Sequence, residues 1–237
     1  MLNKIAEVKN VRGLMSMTEM LTQRPAGTPG IGLIWGATGY GKTTAAARMV
    51  VHSHAIFERA DAVSTPRTLL AALCVHLSLT PARSADETLH LIAAHLKRVQ
   101  RPVVIDEADY LLDKRGLIET IRDLHDRSTV AVILIGMANF LRQVKQLPQF
   151  SGRIAHWAEF APADAEDARV LADTICEVRM EDDLLAALLE QTRGSMRGLT
   201  MGLMNVEEFG KRRKLSNVGL SDWGKKRFFI NSIHEAE

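Results

Sequence analysis

Residues 36 to 43 read GATGYGKT. Gly36, four residues, then Gly41, Lys42 and Thr43 is the spacing of a loop that wraps phosphate oxygens in successive backbone N–H groups. Glycines let the main chain come close to an anion. The lysine would reach the β- and γ-phosphates of a nucleoside triphosphate, and the threonine hydroxyl would hold Mg²⁺. The expected binding segment is therefore Gly36, Ala37, Thr38, Gly39, Tyr40, Gly41, Lys42, Thr43 and Thr44. A second acidic group lies in PVVIDEAD, residues 102 to 109. There Asp106 is suited to supporting Mg²⁺, and Glu107 to orienting and deprotonating an attacking water. Together the two motifs point to ATP with Mg²⁺ and to hydrolysis of the nucleotide.

Two arginines are informative by position. Arg153, in FSGRIAHW, stands just before a strand-like segment, where the γ-phosphate held by a neighbouring subunit could be met; Arg197, in GSMRGL, opens a helical segment. A small-molecule kinase would also use a phosphate loop, but adjacent Asp106 and Glu107 favour water activation over transfer to another acceptor. The letters DEAD belong to helicases as well. That class needs two stacked nucleotide-type cores, and the strands here suffice for one.

The elements that must position these groups follow from the apolar pattern. IGLIW leads into the glycine loop, and KTTAAARMVVHSH continues as a helix. ADAVS, residues 60 to 64, reads as a second strand; PVVI (102 to 105) and VAVILI (130 to 135) read as parallel strands buried on both faces; HWAEF (156 to 160) is a fifth. Thr65 with Pro66, Ser84 with Glu87, and Asp164 are helix-start signals. PVVI runs into Asp106 and Glu107, so both carboxylates would emerge at the carboxyl edge, where ligands of open α/β sheets sit. After Phe160 no further strand is expected, and three helical patterns follow. Leu14, Met17 and Leu21 share a face of an early helix that ends at RPAGTPG.

With 237 residues, 46% apolar and 24% charged, the chain is an ordinary globular sequence with room for a large and a small lobe. A formal charge of +2 decides nothing about an anionic partner. Cys74 and Cys176 form no CxxC pair, and the eight histidines no metal-ligand spacing, so any metal is expected to arrive with a ligand. No signal-peptide core and no run of about 18 apolar residues is present, which leads to the expectation of a cytoplasmic protein without a membrane span.

The order of phosphate loop, VVIDEAD, VAVILIG, SGRI and a helical lobe with GSMRGL resembles an AAA+ ATPase over about residues 28 to 212. The phrase NVRGLMSMTEMLTQRPAGTPGIGLIWGATGYGKTT is similar to the transposition ATPases related to phage Mu B, TniB and TnsC. The resemblance implies an α/β P-loop AAA+ core with a five-stranded parallel sheet flanked by helices, then a small all-helical lid. The expected divisions are an N-terminal helix and linker over 1–27, the nucleotide-binding domain over 28–161, the lid over 162–215 and a basic tail over 216–237.

The resemblance also implies residue roles. Lys42 and Thr43 would serve phosphate and Mg²⁺, Asp106 Mg²⁺, and Glu107 the attacking water, with Arg153 a finger acting in trans and Arg197 a lobe-two sensor. The fourth strand ends LIGMANF, where many AAA+ proteins carry a polar sensor; Met137 has no such group, which leaves Asn139 as the substitute. Such relatives polymerise on double-stranded DNA as rings or helical filaments and stimulate a transposase. The expected DNA contacts are Thr65 and Arg67, Lys114 and Arg115, and Lys211, Arg212 and Arg213 of the KRRK cluster, with KKRFF offering further cations and rings. The competing expectation is an AAA+ ATPase that acts on protein partners alone.

Overall fold

The computed structural model describes residues 1–112 and 114–229, without the side chain of Arg115. The expected DNA contact at the Arg115 side chain, and residues 230–237 of the expected tail, thus lie outside the described residues. In chain order the elements are α1 (Lys9–Thr22), β1 (Ile31–Gly36), α2 (Lys42–Ser53), β2 (Ile56–Arg59), α3 (Pro66–His76), α4 (Ala85–Val99) and β3 (Val103–Asp106). Then come α5 (Arg115–Ser128), β4 (Val132–Gly136), α6 (Ala138–Lys145), α7 (Pro148–Ser151) and β5 (Ile154–Phe160). The remainder is α8 (Ala165–Ile175), β6 (Arg179–Met180), α9 (Asp182–Thr192), α10 (Met196–Arg212), β7 (Asn217–Val218) and α11 (Leu220–Trp223).

Five strands form one parallel sheet in the order β2-β3-β4-β1-β5. The inner strands β3 and β4 are buried along their whole length, and β1 nearly so, which is why they appear in the sequence as uninterrupted apolar runs. Helices α3, α4 and α5 cover the sheet through Leu70, Leu73, Ile92, Leu96, Leu117, Ile121 and Leu124. Met17 and Leu21 of α1 lie against β1 at Gly32, where a Cβ would come within 2.8 Å of both side chains.

The second strand is not where the sequence places it. β2 is Ile56–Arg59, and ADAVS is a turn beyond it. Asp61 Oδ1 accepts from the Val63 N–H and the Ser64 hydroxyl, and Ser64 Oγ accepts from the Asp61 N–H. These local side-chain bonds offer the backbone an alternative to a ladder and override the β propensity of Ala-Val. The helix starts do fall where expected: Thr65 and Ser84 each close a capping box, and Asp164 caps α8 through the Asp167 N–H.

The chain divides into two compact units: one of residues 13–37 and 42–160, the other built from residues 1–12, 38–41 and the described residues from Ala161 onward. The second unit contains strands that the sequence does not announce. β6 and β7 pair in parallel through Arg179↔Asn217 and Met180↔Val218, so the stretch expected to begin a tail is part of a folded unit. There Trp223 stacks on Phe228, ring centroids 5.4 Å apart, and meets Phe209 edge-to-face at 5.2 Å. Cys74 is buried; burial, with Glu207 nearby, pushes the partly buried Cys176 thiol up to about 12.

Candidate nucleotide site

β1 ends at Gly36, and α2 begins at Lys42, so the glycine segment is the turn between a buried strand and a twelve-residue helix. The N-terminus of such a helix presents unpaired N–H groups and the positive end of its dipole, a ready anion site. Gly39 and Gly41 take φ of +89° and +82°, backbone that side-chain-bearing residues rarely adopt. The tip of the loop is held within its own unit. Gly39 O accepts from the Arg197 N–H at 3.1 Å, a Cβ on Gly39 would fall 2.7 Å from Ser195 Oγ, and Tyr40 O accepts from Asn10 Nδ2 at 3.4 Å.

Lys42 Nζ donates to the carbonyls of Gly36 at 2.7 Å and Ala37 at 2.9 Å. Its ammonium is thereby folded over the base of the loop. Burial lowers the Lys42 pKa, opposed by the negative charges of Glu107, Asp106 and Asp109. Met137 Sδ lies 3.6 Å from the same ammonium. Asn139, the expected sensor, is exposed in the first turn of α6, so it is Met137 that meets the phosphate-loop lysine. No sequence signal marked this, because thioether sulfur is only a weak acceptor.

Asp106, at the carboxyl end of β3, is 2% exposed and accepts from the Thr43 hydroxyl at 2.7 Å. It also accepts from the Glu107 N–H at 3.0 Å. Glu107 follows in the left-handed region, φ 53° and ψ 39°, opening a 3₁₀ turn over Ala108–Leu111. Such a conformation costs roughly 1–3 kcal/mol in a residue with a side chain and is a common mark of functional positions. Glu107 Oε1 accepts from Arg59 Nη2 at 3.1 Å, a contact made possible by the parallel pairing of Arg59 with Asp106 at the sheet edge. Sequence reading missed Arg59 because β2 had been placed beyond it. Asp109 Oδ2 accepts from the Met137 N–H at 2.9 Å, tying the end of β3 to the end of β4.

The remaining candidates are placed as follows. Arg153 forms a two-pronged ion pair with Asp126 on α5, Nε to Oδ1 at 2.7 Å and Nη2 to Oδ2 at 2.7 Å, and the guanidinium holds the Asp126 carboxyl below its ordinary value. Arg197 is exposed in the first turn of α10. Thr65 is occupied as the cap of α3, beside the exposed Arg67. Lys114 Nζ donates to the carbonyls of Ala62 and Ser64 and so pins the turn after β2. Lys211 is paired with Glu177 and Glu207, Arg212 with Glu208, and Arg213 lies over the Phe209 ring at 4.7 Å. Lys211, Arg212 and Arg213 thus each have a partner inside their own unit.

The family comparison agrees with this geometry. A family model described as an AAA domain matches residues 23–144, just over half of the chain. The chain belongs to the AAA family: it is a P-loop ATPase domain, and with that membership comes nucleotide binding.

Among solved structures, the Aeropyrum pernix ORC1 protein in complex with DNA is similar at a TM-score of 0.62 and 19% identity, over 88% of this chain and 61% of that one. Cdc6p from Pyrobaculum aerophilum gives 0.66 and 14%, over 92% and 66%, and the Aeropyrum pernix ORC2 protein in its ADP form gives 0.67 and 16%, over 91% and 68%. This chain therefore spans roughly two thirds of the length of those proteins or less. At these identities the likeness is one of fold: a five-stranded parallel sheet flanked by helices and followed by further helices. No curated protein matches. No helix among the described residues is long and apolar enough to cross a membrane.

Proposed function

We propose that the protein is an ATP-hydrolysing AAA+ ATPase that assembles on double-stranded DNA and helps a transposase select and capture its target. The observation that carries the hydrolytic part is the 2.7 Å contact between the Thr43 hydroxyl and Asp106 Oδ2, with Glu107 as the next residue. Two hard oxygen donors meeting at the carboxyl edge of the sheet fit Mg²⁺, which Thr43 and Asp106 would hold. When bound, Mg²⁺ supplies charge neutralisation at the β- and γ-phosphate oxygens. Lys42 leaves the carbonyls of Gly36 and Ala37 to meet those oxygens, and the α2 N-terminus supplies N–H donors. Glu107 takes the proton from the attacking water. Arg153 completes the site of an adjacent subunit, and Arg197 serves as the lid's sensor.

Support for DNA as the partner comes from the likeness of residues 10–44 to the Mu B, TniB and TnsC ATPases, which also supports the transposase assignment. A structurally similar protein, the Aeropyrum pernix ORC1 protein, is itself described in complex with DNA.

The test uses purified full chain with ATP, Mg²⁺ and duplex DNA in a mobility-shift and turnover assay. A nucleotide-dependent, salt-sensitive shift is expected. Lys42→Ala should lose nucleotide binding, whereas Glu107→Gln should keep it and lose turnover by at least about 10²-fold, the contribution typical of a general base. Full turnover by Glu107→Gln would overthrow the choice of base. Absence of any shift at low salt would remove DNA, and stimulation by a partner protein but not by duplex would assign the ATPase to protein partners.

A further inference from the structure

The two edges of the sheet differ chemically within its own unit. The carboxyl edge carries both signs: Asp61, Asp106, Glu107 and Asp109, with Lys42, Arg59 and Lys114 among them. At the amino edge, the segments entering β1 (residues 23–30), β2 (53–55), β3 (97–102) and β4 (127–131) contain no aspartate or glutamate. They do contain Arg24, Lys97, Arg98, Arg101 and Arg127.

The surroundings of these five cations are mostly neutral. Lys97 and Arg98 are exposed in the last turn of α4, and Arg98 meets the His95 ring at 3.3 Å. Arg101 Nε donates to His54 O at 2.8 Å, joining the entries of β2 and β3. Arg24 donates to the carbonyls of Leu21 and Thr129, each at 2.5 Å, bridging the entries of β1 and β4. Arg127 is exposed and contacts the His90 ring. Of the nearby carboxylates, Asp126 is paired with Arg153, Glu19 accepts from Gln23, and Asp86 lies 3.5 Å from the His90 ring that Arg127 contacts.

We propose that this amino edge is a contact surface for the phosphate backbone of duplex DNA, on the side of the sheet away from the nucleotide residues. The inference rests on the duplex-DNA reading above and names where that contact is made. Adjacent strands are about 4.8 Å apart, so the entries of β2, β3, β4 and β1 form a row of roughly 14 Å. A duplex presents one negative charge per about 1.7 Å of its axis, so a row of that length faces several phosphates at once. Arginine is suited to this, since its planar fork gives paired hydrogen bonds to phosphate. A cluster of cations of one sign matches a polyanion better than it matches the mixed surface of a folded protein.

The double variant Lys97→Gln/Arg98→Gln tests the assignment, because both side chains are exposed and outside the nucleotide residues. Arg127→Gln is the second, independent variant. The readout is fluorescence anisotropy of a labelled duplex of about 30 base pairs between about 50 and 200 mM salt, with nucleotide binding as the check on folding. The double variant is expected to bind duplex on the order of tenfold more weakly. Its log-affinity against log-salt slope should be shallower by about 0.9 for each lost phosphate contact. If wild-type protein binds duplex while both variants keep its affinity and slope, the inference is overturned and the DNA reading survives. If wild-type protein fails to bind at low salt, that reading falls and this one with it. Poly-glutamate binding that the variants lose, with duplex binding unchanged, would instead make an acidic protein the occupant and overturn the DNA assignment.

Discussion

Arg59 and Glu107 lie at adjacent strand ends with 3.1 Å between Nη2 and Oε1, and their side chains are 65% and 35% exposed. An ion pair so open to water contributes little to stability, within about 1 kcal/mol. Its consequence is geometric: while Glu107 Oε1 accepts from the guanidinium, that oxygen is engaged and is not free to accept from a water. Arg59→Ala should therefore raise basal ATP turnover by a few-fold in single-turnover measurements and leave the denaturation midpoint nearly unchanged. A fall in turnover would mean that Arg59 orients the base productively instead. The residue scale also divides what can be read from sequence from what cannot. Lys42, Thr43 and Asp106 are legible because a phosphate loop and a strand-end acid impose local spacing. Lys211 looks free in KRRK, yet its partner Glu177 lies 34 residues away, and no local pattern announces such a pair.

Elements were legible in proportion to how completely they are buried. β1, β3 and β4 carry apolar residues on both faces, and the sequence shows them within a residue or two. β2 is an edge strand with the mixed sequence IFER, and its neighbour ADAVS is more strand-like in composition but folds on its own Asp61 and Ser64 side chains. β6 and β7 have two residues each and exist only through pairing across 36 intervening residues, so they leave no periodic trace. Helix starts are the reverse case, because their chemistry is local. In α4 the Ser84 hydroxyl accepts from the Glu87 N–H at 3.1 Å while Glu87 Oε2 accepts from the Ser84 N–H at 3.2 Å. Ser84→Ala removes one half of this box and should destabilise the fold by about 1 kcal/mol. Urea unfolding should show a lower midpoint with an unchanged slope. An unchanged midpoint would mean that packing of Leu89, Ile92 and Leu96 alone fixes the start of the helix.

At the scale of the whole molecule, the assembly proposed here requires a group to act across a boundary between copies. Within one copy Arg153 is committed to Asp126 and to the carbonyl of Gln149. That pairing fixes the guanidinium at the entry to β5, the opposite end of the strands from Asp106 and Glu107. A side chain at the amino edge cannot serve the acids at the carboxyl edge of its own sheet, so a catalytic role for Arg153 has to be exercised on a neighbour. Arg153→Ala should accordingly bind ATP normally and lose turnover in the assembled state. Mixing it in equal amounts with Lys42→Ala supplies both halves to some interfaces. In a heterologous assembly with random order, about a quarter of the interfaces join an intact Lys42 on one side to an intact Arg153 on the other. Turnover of the mixture should then recover to about that fraction of wild type, although each variant alone is inactive. A mixture that stays inactive while light scattering shows mixed assemblies would rule out action in trans and leave Arg153 as a clamp between α5 and β5.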